Sequence, residues 1–214
     1  MIKKILRVEY GKSSLSESAI FVGGDPNNKI PIIFSVFLIV TTSRNILVDA
    51  GCKTMPGFEM DDFIGTIKAL KKLGYTPEEI TDVIITHSHH DHIECVDYFK
   101  NAIVHIQKSE YETGKQYIPK DFICNIFEDE YIIEDDIKII KIGSHTTGSC
   151  IVECVFDYKK YIFCGDECYS FYNLNNKVVA ATSVSENRNI DFINKYGSSE
   201  YTCLLCHEKS CECN

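Results

Sequence analysis

One segment limits this chain more than any other: Thr86-His87-Ser88-His89-His90-Asp91-His92, which runs directly on from the apolar stretch Asp82-Val83-Ile84-Ile85. A strand over 82–86 would be apolar on both faces, which predicts a central place in a sheet. The histidines therefore gather where a buried strand ends. A chance His-x-His-x-Asp-His in a chain of this composition has odds of about 5 in 10,000, so coincidence is set aside. Packing explains it no better, because imidazoles this close repel one another on protonation and gain little by contact. Bound metal accounts for both.

Spacing within the run nominates ligands. Alternate residues of an extended segment share a face, so His87 and His89 can reach one ion together. Asp91 and His92 follow as the chain turns and can reach a second. His90 falls on the other parity and is left off. Further donors stand at or after later strand ends: His145 in Gly143-Ser144-His145-Thr146-Thr147-Gly148-Ser149, Asp166 in Cys164-Gly165-Asp166-Glu167, and His207 in Leu205-Cys206-His207-Glu208. Asp166 suits a bridge, since its two oxygens can serve two cations. His105, inside Ile103-Val104-His105-Ile106, is read as a strand residue with a satisfied ring nitrogen.

Composition narrows the partners. The chain has 214 residues, 44% hydrophobic and 25% charged, which is the profile of one globular domain, 1–214. A formal net charge of −9 disfavours a nucleic-acid partner. The opening Met1-Ile2-Lys3-Lys4-Ile5-Leu6-Arg7 lacks the apolar stretch and cleavage site of a signal peptide. The run from Ile30 to Val40 contains Pro31 and Ser35 and is too short to span a bilayer. A cytoplasmic protein acting on a small molecule, with no membrane contact, is expected. Its 11 cysteines are then expected as reduced thiols. Cys203, Cys206, Cys211 and Cys213 crowd the end, and Cys203-Leu204-Leu205-Cys206 has the spacing of half a zinc site. Leu204 and Leu205 look like core, so a strand followed by a polar tail is the preferred reading.

Apolar patterning predicts strands near 2–9, 18–23, 31–40, 45–49, 82–86, 102–106, 122–127, 131–141, 150–157, 160–165 and 201–206. Helices are predicted at about 61–73, from the steps Phe63, Ile64, Ile67, Leu70 and Leu73, and near 93–99, 107–115 and 189–196. Strand blocks punctuated by helices imply an α/β (α+β) architecture with sheets face to face and helices outside.

His-x-His-x-Asp-His, then a later His, a Gly-Asp and a final His, resembles the metallo-β-lactamase superfamily. Leu47-Val48-Asp49-Ala50-Gly51 looks like its upstream Asp-x-Gly element. The resemblance implies an αββα sandwich with metals at one edge of the sheets. It also implies that His87, His89 and His145 bind a first divalent ion, that Asp91, His92 and His207 bind a second, and that Asp166 bridges them. Asp49 would then orient a ligand histidine. Nitrogen and oxygen donors suit Zn²⁺, with Fe or Mn as alternatives.

Within the superfamily the chain is most similar to N-acyl homoserine lactonases. Tyr169 stands three residues after Asp166, the segment from Ile103 to Glu112 looks like their strand-then-helix stretch, and Cys206-His207-Glu208-Lys209-Ser210 looks like their closing region. Three departures stand beside it. Ile93-Glu94-Cys95 replaces the usual Gly-Gly, Ser144-His145-Thr146-Thr147-Gly148 replaces Gly-His-Thr-Pro-Gly, and the segment between Asp49 and the next helix is short. The expected reaction is lactone opening by a hydroxide held between two ions. Tyr169 would hydrogen-bond the developing oxyanion, and Asp91 would pass a proton to the leaving group. Competing readings are a thioesterase of the glyoxalase II kind, disfavoured because only residues 208–214 follow His207, and a non-catalytic metal- or ligand-binding domain. A nuclease is disfavoured by the acidic charge, and a flavin-dependent diiron oxidoreductase would need a flavin domain.

Overall fold

Period-two alternation in the central strands feeds two apolar cores at once, and this sets the layering. The computed structural model describes residues 1–55, 57 and 59–209. A seven-stranded sheet is built from β1 (Ile2–Ser16), β2 (Lys29–Thr41), β3 (Asn45–Val48), β4 (Met60–Phe63), β5 (Asp82–Ile85), β6 (Ile103–Gln107) and β7 (Cys124–Phe127), in the order β4-β1-β2-β3-β5-β6-β7. A five-stranded sheet is built from β8 (Glu130–Glu134), β9 (Ile137–Lys141), β10 (Cys150–Phe156), β11 (Lys159–Phe163) and β12 (Tyr201–Leu204), in the order β12-β11-β10-β9-β8.

From β3 through β5 and β6 to β7 the neighbours are parallel, so each link needs a crossover. These carry α2 (Thr66–Lys72), α3 (His90–Ile93) with a 3-10 segment at Glu94–Tyr98, and α4 (Lys108–Gly114). Leu47, Val83 and Ile85 face the core under these helices, while Ile46, Val48 and Ile84 face the core between the sheets. On the smaller sheet Phe163 and Leu204 meet that inter-sheet core. Ile162, Cys203 and Leu205 instead meet Phe192, Ile193 and Tyr196 of α6 (Glu186–Tyr196). The layers run helix, sheet, sheet, helix: an αββα sandwich. Among the described residues no helix is long and apolar enough to cross a membrane.

Several element boundaries differ from those read in the sequence. The strand expected at 18–23 is one helical turn, α1 (Glu17–Ile20), with Phe21 making a single bridge to Ala180. β1 instead continues to Ser16, paired with β2 along its length. The Glu17 carboxylate accepts from Asp25 N and Asn28 Nδ2, which closes the loop where the strand was expected. The helix expected at 61–73 begins only at Thr66, because Met60–Phe63 is an edge strand beside Gly11–Ser13 of β1. Gly65, at φ +78°, makes the break; Phe63 and Ile64 still pack on the helix-side core, which is why the period looked continuous. The strand expected at 131–141 is the hairpin β8–β9, turned at Asp135 and Asp136. The 189–196 helix starts earlier, at Glu186, and α5 (Phe171–Asn176) was not anticipated.

Candidate active site

The loops that follow β3, β5, β9, β11 and β12 bring their polar side chains to one place. His87 Nε2 and His145 Nε2 lie 3.1 and 3.0 Å from His89 Nδ1. Asp166 Oδ2 stands 3.7 Å from His87 Nε2 and 3.6 Å from His145 Nε2. The other oxygen, Oδ1, lies 3.2 Å from His92 Nε2 and 3.1 Å from His207 Nε2. Asp91 Oδ2 approaches those same two nitrogens at 3.5 and 3.7 Å. Seven residues named from the sequence thus meet, in two groups that share Asp166.

These distances test whether a cation fits. Ligands about 2.0–2.2 Å from a tetrahedral ion are separated by roughly 3.4 Å, and the observed edges bracket that value. His92 Nε2 supplies a second test: it is buried and makes no hydrogen bond, a costly state without a partner. The outer ring nitrogens are occupied. His92 Nδ1 meets Asp49 Oδ2 at 2.8 Å, His207 Nδ1 donates to Ile33 O at 3.0 Å, and His145 Nδ1 meets Thr182 Oγ1 at 3.1 Å. Each contact fixes a ring with Nε2 turned inward, the arrangement ligand histidines need. The residues present therefore fit metal.

Asp49 does more than hold His92. Its Oδ1 accepts from the Thr86 backbone N–H at 2.8 Å, and the Thr86 hydroxyl reaches both oxygens at 2.9 Å. Asp49 sits at φ +65°, a left-handed conformation uncommon outside glycine, which these bonds hold in place. His90 turns away, with Nε2 3.0 Å from Thr54 O and 3.1 Å from Glu94. His105 pairs with the buried Asp82 at 2.9 Å and stacks on Tyr131.

Charge is uneven across the cluster. Burial, then the neighbouring His92, holds His87 well below the usual imidazole range, and burial brings His145 down to about 4. Burial also opposes charge on His92 and His207. It is outweighed for His92 by Asp166, Asp91 and Asp49, and for His207 by Cys206 and Asp166, so both are raised well above their ordinary value. Tyr169 stacks on His207 at 5.2 Å between ring centroids, and its phenolic oxygen accepts from Thr182 Oγ1 at 3.3 Å. Burial, then Asp166, keeps that phenol protonated far above neutral pH.

Two carboxylates escaped the sequence reading. Glu110, buried on α4, takes the Ser88 N–H and hydroxyl on Oε2, both at 2.8 Å. Its Oε1 takes Thr146 Oγ1 at 2.6 Å and the Gly148 N–H at 3.0 Å. One side chain thus ties the loop of His87 to the loop of His145. Gly148 is needed for this, since a Cβ there would sit 2.8 Å from Glu110 Oε1. Glu167 accepts from the Ser144 and Ser149 hydroxyls, and burial lifts its carboxyl to about 7. Glu110 lies in the stretch from Ile103 to Glu112 already singled out, but its partners are far off in sequence. Of the crowded cysteines, Cys203 contacts Tyr196 O in the outer layer while Cys206 lies beside Asp166; Cys211 and Cys213 fall outside the described residues.

The same architecture occurs in known proteins. The chain is 26% identical over 172 residues to an N-acyl homoserine lactonase of Bacillus cereus, covering 69% of this chain and 68% of that one. It is 32% identical over 165 residues to the "Probable metallo-hydrolase" of Methanocaldococcus jannaschii, covering 76% and 70%. The crystal structure of a quorum-quenching N-acyl homoserine lactone lactonase superposes with a TM-score of 0.84 at 20% identity, covering 100% and 97% of the two chains. A metal-dependent hydrolase of Staphylococcus aureus, described as probable, superposes with 0.79 at 22%, covering 98% and 91%. The profile of the Metallo-beta-lactamase superfamily matches residues 33–178, from β2 through the histidine run and Asp166, and the chain belongs to that superfamily as a hydrolase.

Proposed function

We propose that the chain is a dinuclear metal-dependent hydrolase that opens lactones of the N-acyl homoserine kind. The division of Asp166 carries this reading: one oxygen faces His87 and His145, the other His92 and His207. A carboxylate shared between two donor groups calls for two cations. His87, His89 and His145 would hold one, Asp91, His92 and His207 the other, with Asp166 between them. The donors suit Zn²⁺, and Fe or Mn accept the same set. When bound, the ions supply Lewis acidity toward a carbonyl oxygen and lower the pKa of water toward neutrality.

The chain's own groups do the rest. Tyr169 keeps its proton and its oxygen accepts from Thr182; with Asp166 engaged by metal, its O–H would turn from that carboxylate to donate toward the oxygen on which charge develops. Burial would raise the Asp91 carboxyl, but His92 and His207 hold it below its usual range. It is therefore ionised at neutral pH, able to take up a proton and return it to the leaving alkoxide. His89 is the exposed member of the cluster, so a small-molecule substrate would arrive from its side. Lactone is favoured by Tyr169 beside the cluster and by the N-acyl homoserine lactonases among the relatives.

Metal analysis after reconstitution should give two ions per chain. A panel of acyl-homoserine lactones, simple lactones, aryl esters and acyl thioesters should give the highest kcat/KM on a lactone. Fewer than two ions would remove the dinuclear centre, and a thioester turned over faster than every lactone would replace the substrate.

A further inference from the structure

We propose that Cys206 is a ligand, as thiolate, of the ion held by His92 and His207. The proposal rests on the dinuclear reading above and adds to it a donor of different chemistry.

The placement of Cys206 comes from strand alternation and backbone pinning. After β12, Leu205 faces the helix layer and Cys206 the inter-sheet core. The Ser35 hydroxyl donates to Cys206 O at 2.7 Å, and the Ile33 N–H donates to His207 O at 3.2 Å. Two successive side chains, Cys206 and His207, are thereby both turned into the cluster. Cys206 Sγ lies 3.3 Å from Asp166 Oδ1. Together with the ligand atoms of His92, Asp166 and His207 it forms a set in which all lie within 4.8 Å of one another.

Geometry favours coordination. With metal–sulfur at about 2.3 Å and metal–oxygen at about 2.1 Å, a tetrahedral S···O edge is roughly 3.6 Å. The observed 3.3 Å lies close to it, as the two N···O edges of 3.2 and 3.1 Å lie close to theirs. Sulfur this near a carboxylate oxygen needs either its own proton or a cation shared with that oxygen. The Nε2 of His92, 2% exposed, without a hydrogen bond and 3.2 Å from Asp166 Oδ1, belongs to the same set and faces the same point as the sulfur. With Asp91 the group offers five donors, a number zinc accepts. Cys203, the other half of the Cys-x-x-Cys spacing, contributes nothing, since its thiol contacts Tyr196 O in the outer layer.

On loading, the S–H bond breaks heterolytically, the proton leaves to solvent and an S–metal bond forms, with no change of oxidation state. The two positions then differ in kind. One is served by nitrogen and oxygen alone, while the other carries a soft donor that favours Zn²⁺ over Mn²⁺.

The test is Co²⁺ substitution in a Cys211→Ser/Cys213→Ser background, which removes the tail thiols. Two Co²⁺ per chain should bind and give a thiolate-to-cobalt charge-transfer band in the near ultraviolet. Cys206→Ser should abolish that band, keep the visible bands of the first ion, and weaken the second ion by at least the ~10–100-fold seen when an outer partner of a ligand is lost. Two bound Co²⁺ without the band, or a band that survives Cys206→Ser, overturns the ligand while leaving the dinuclear reading intact. Fewer than two Co²⁺ in the parent overturns both. If Cys206→Ser fails to fold by circular dichroism, X-ray absorption on the zinc-loaded parent decides: sulfur scattering at about 2.3 Å supports the proposal, and its absence refutes it.

Discussion

Tyr169 and the histidines show how single side chains divide the labour. The phenol of Tyr169 is fixed by stacking on His207, by Thr182 and by a hydrogen bond with Asp166, and it is not itself among the candidate donors. Tyr169→Phe should therefore lower kcat on a lactone by roughly 10²-fold, the usual cost of one oxyanion donor, with metal content unchanged. Equal turnover by the variant would take Tyr169 out of the mechanism. The uneven titration of the cluster gives a second expectation. His92 and His207 are raised above the ordinary imidazole range, so the metal-free protein binds their protons through neutral pH. His87 is lowered and His145 titrates at about 4, so both are already neutral there. A cation on His92 and His207 must displace protons; one on His87 and His145 need not. Affinity for the second ion should accordingly rise with pH through neutrality more steeply than His87 and His145 would make that for the first rise. Calorimetry in buffers of different ionisation enthalpy should show more proton release for the second ion than for the first, and equal release for both would contradict the assigned asymmetry.

At the scale of elements, the loops that carry His87 and His145 need an anchor, and α4 provides it. Glu110 receives hydrogen bonds from both the Ser88 loop and the 146–148 loop. Glu110→Ala would strip a charged acceptor from two backbone amides, one of them buried, at a cost of about 3 kcal/mol. Both the thermal midpoint and the first ion's affinity should fall, whereas Glu110→Gln, which keeps an acceptor oxygen, should recover part of each. A full-affinity Glu110→Ala protein would show that the two loops hold their register without the clamp. The segment of His207 has a comparable anchor in Arg7, whose guanidinium donates to Leu205 O at 2.7 Å and to Glu208 O, on either side of Cys206 and His207.

For the molecule as a whole, three apolar clusters hold the layers together, and they take in Cys206 but none of the candidate histidine and aspartate donors. The metal-free chain should therefore keep its far-ultraviolet spectrum when treated with chelator. Bound metal still stabilises by linkage, about 4 kcal/mol for a ligand at a thousand times its Kd. For a chain of this length that corresponds to a fall in Tm of about 10 °C on chelation. An unchanged Tm would mean that no tightly bound metal was present. Complete unfolding by chelator would mean that the apolar layers do not suffice.

That His87, His89, Asp91, His92, His145, Asp166 and His207 are candidate donors was legible in residue type and spacing, and the fold brings their side chains together. Legible too was the central strand beneath them, because burial on both faces leaves an unbroken apolar run. What stayed hidden were relations between distant segments. The break at Gly65 was masked because Phe63 and Ile64 pack on the same core as the helix that follows. Glu110 looked like any helix glutamate until the 146–148 loop met it. Cys206 looked like half of a Cys-x-x-Cys pair until alternation sent Cys203 outward and left its sulfur against Asp166. Sequence determined which groups this protein could present to a metal. The packing of one sheet against the other decided which of them share a point in space, since that distance is set by the sandwich and by no local rule.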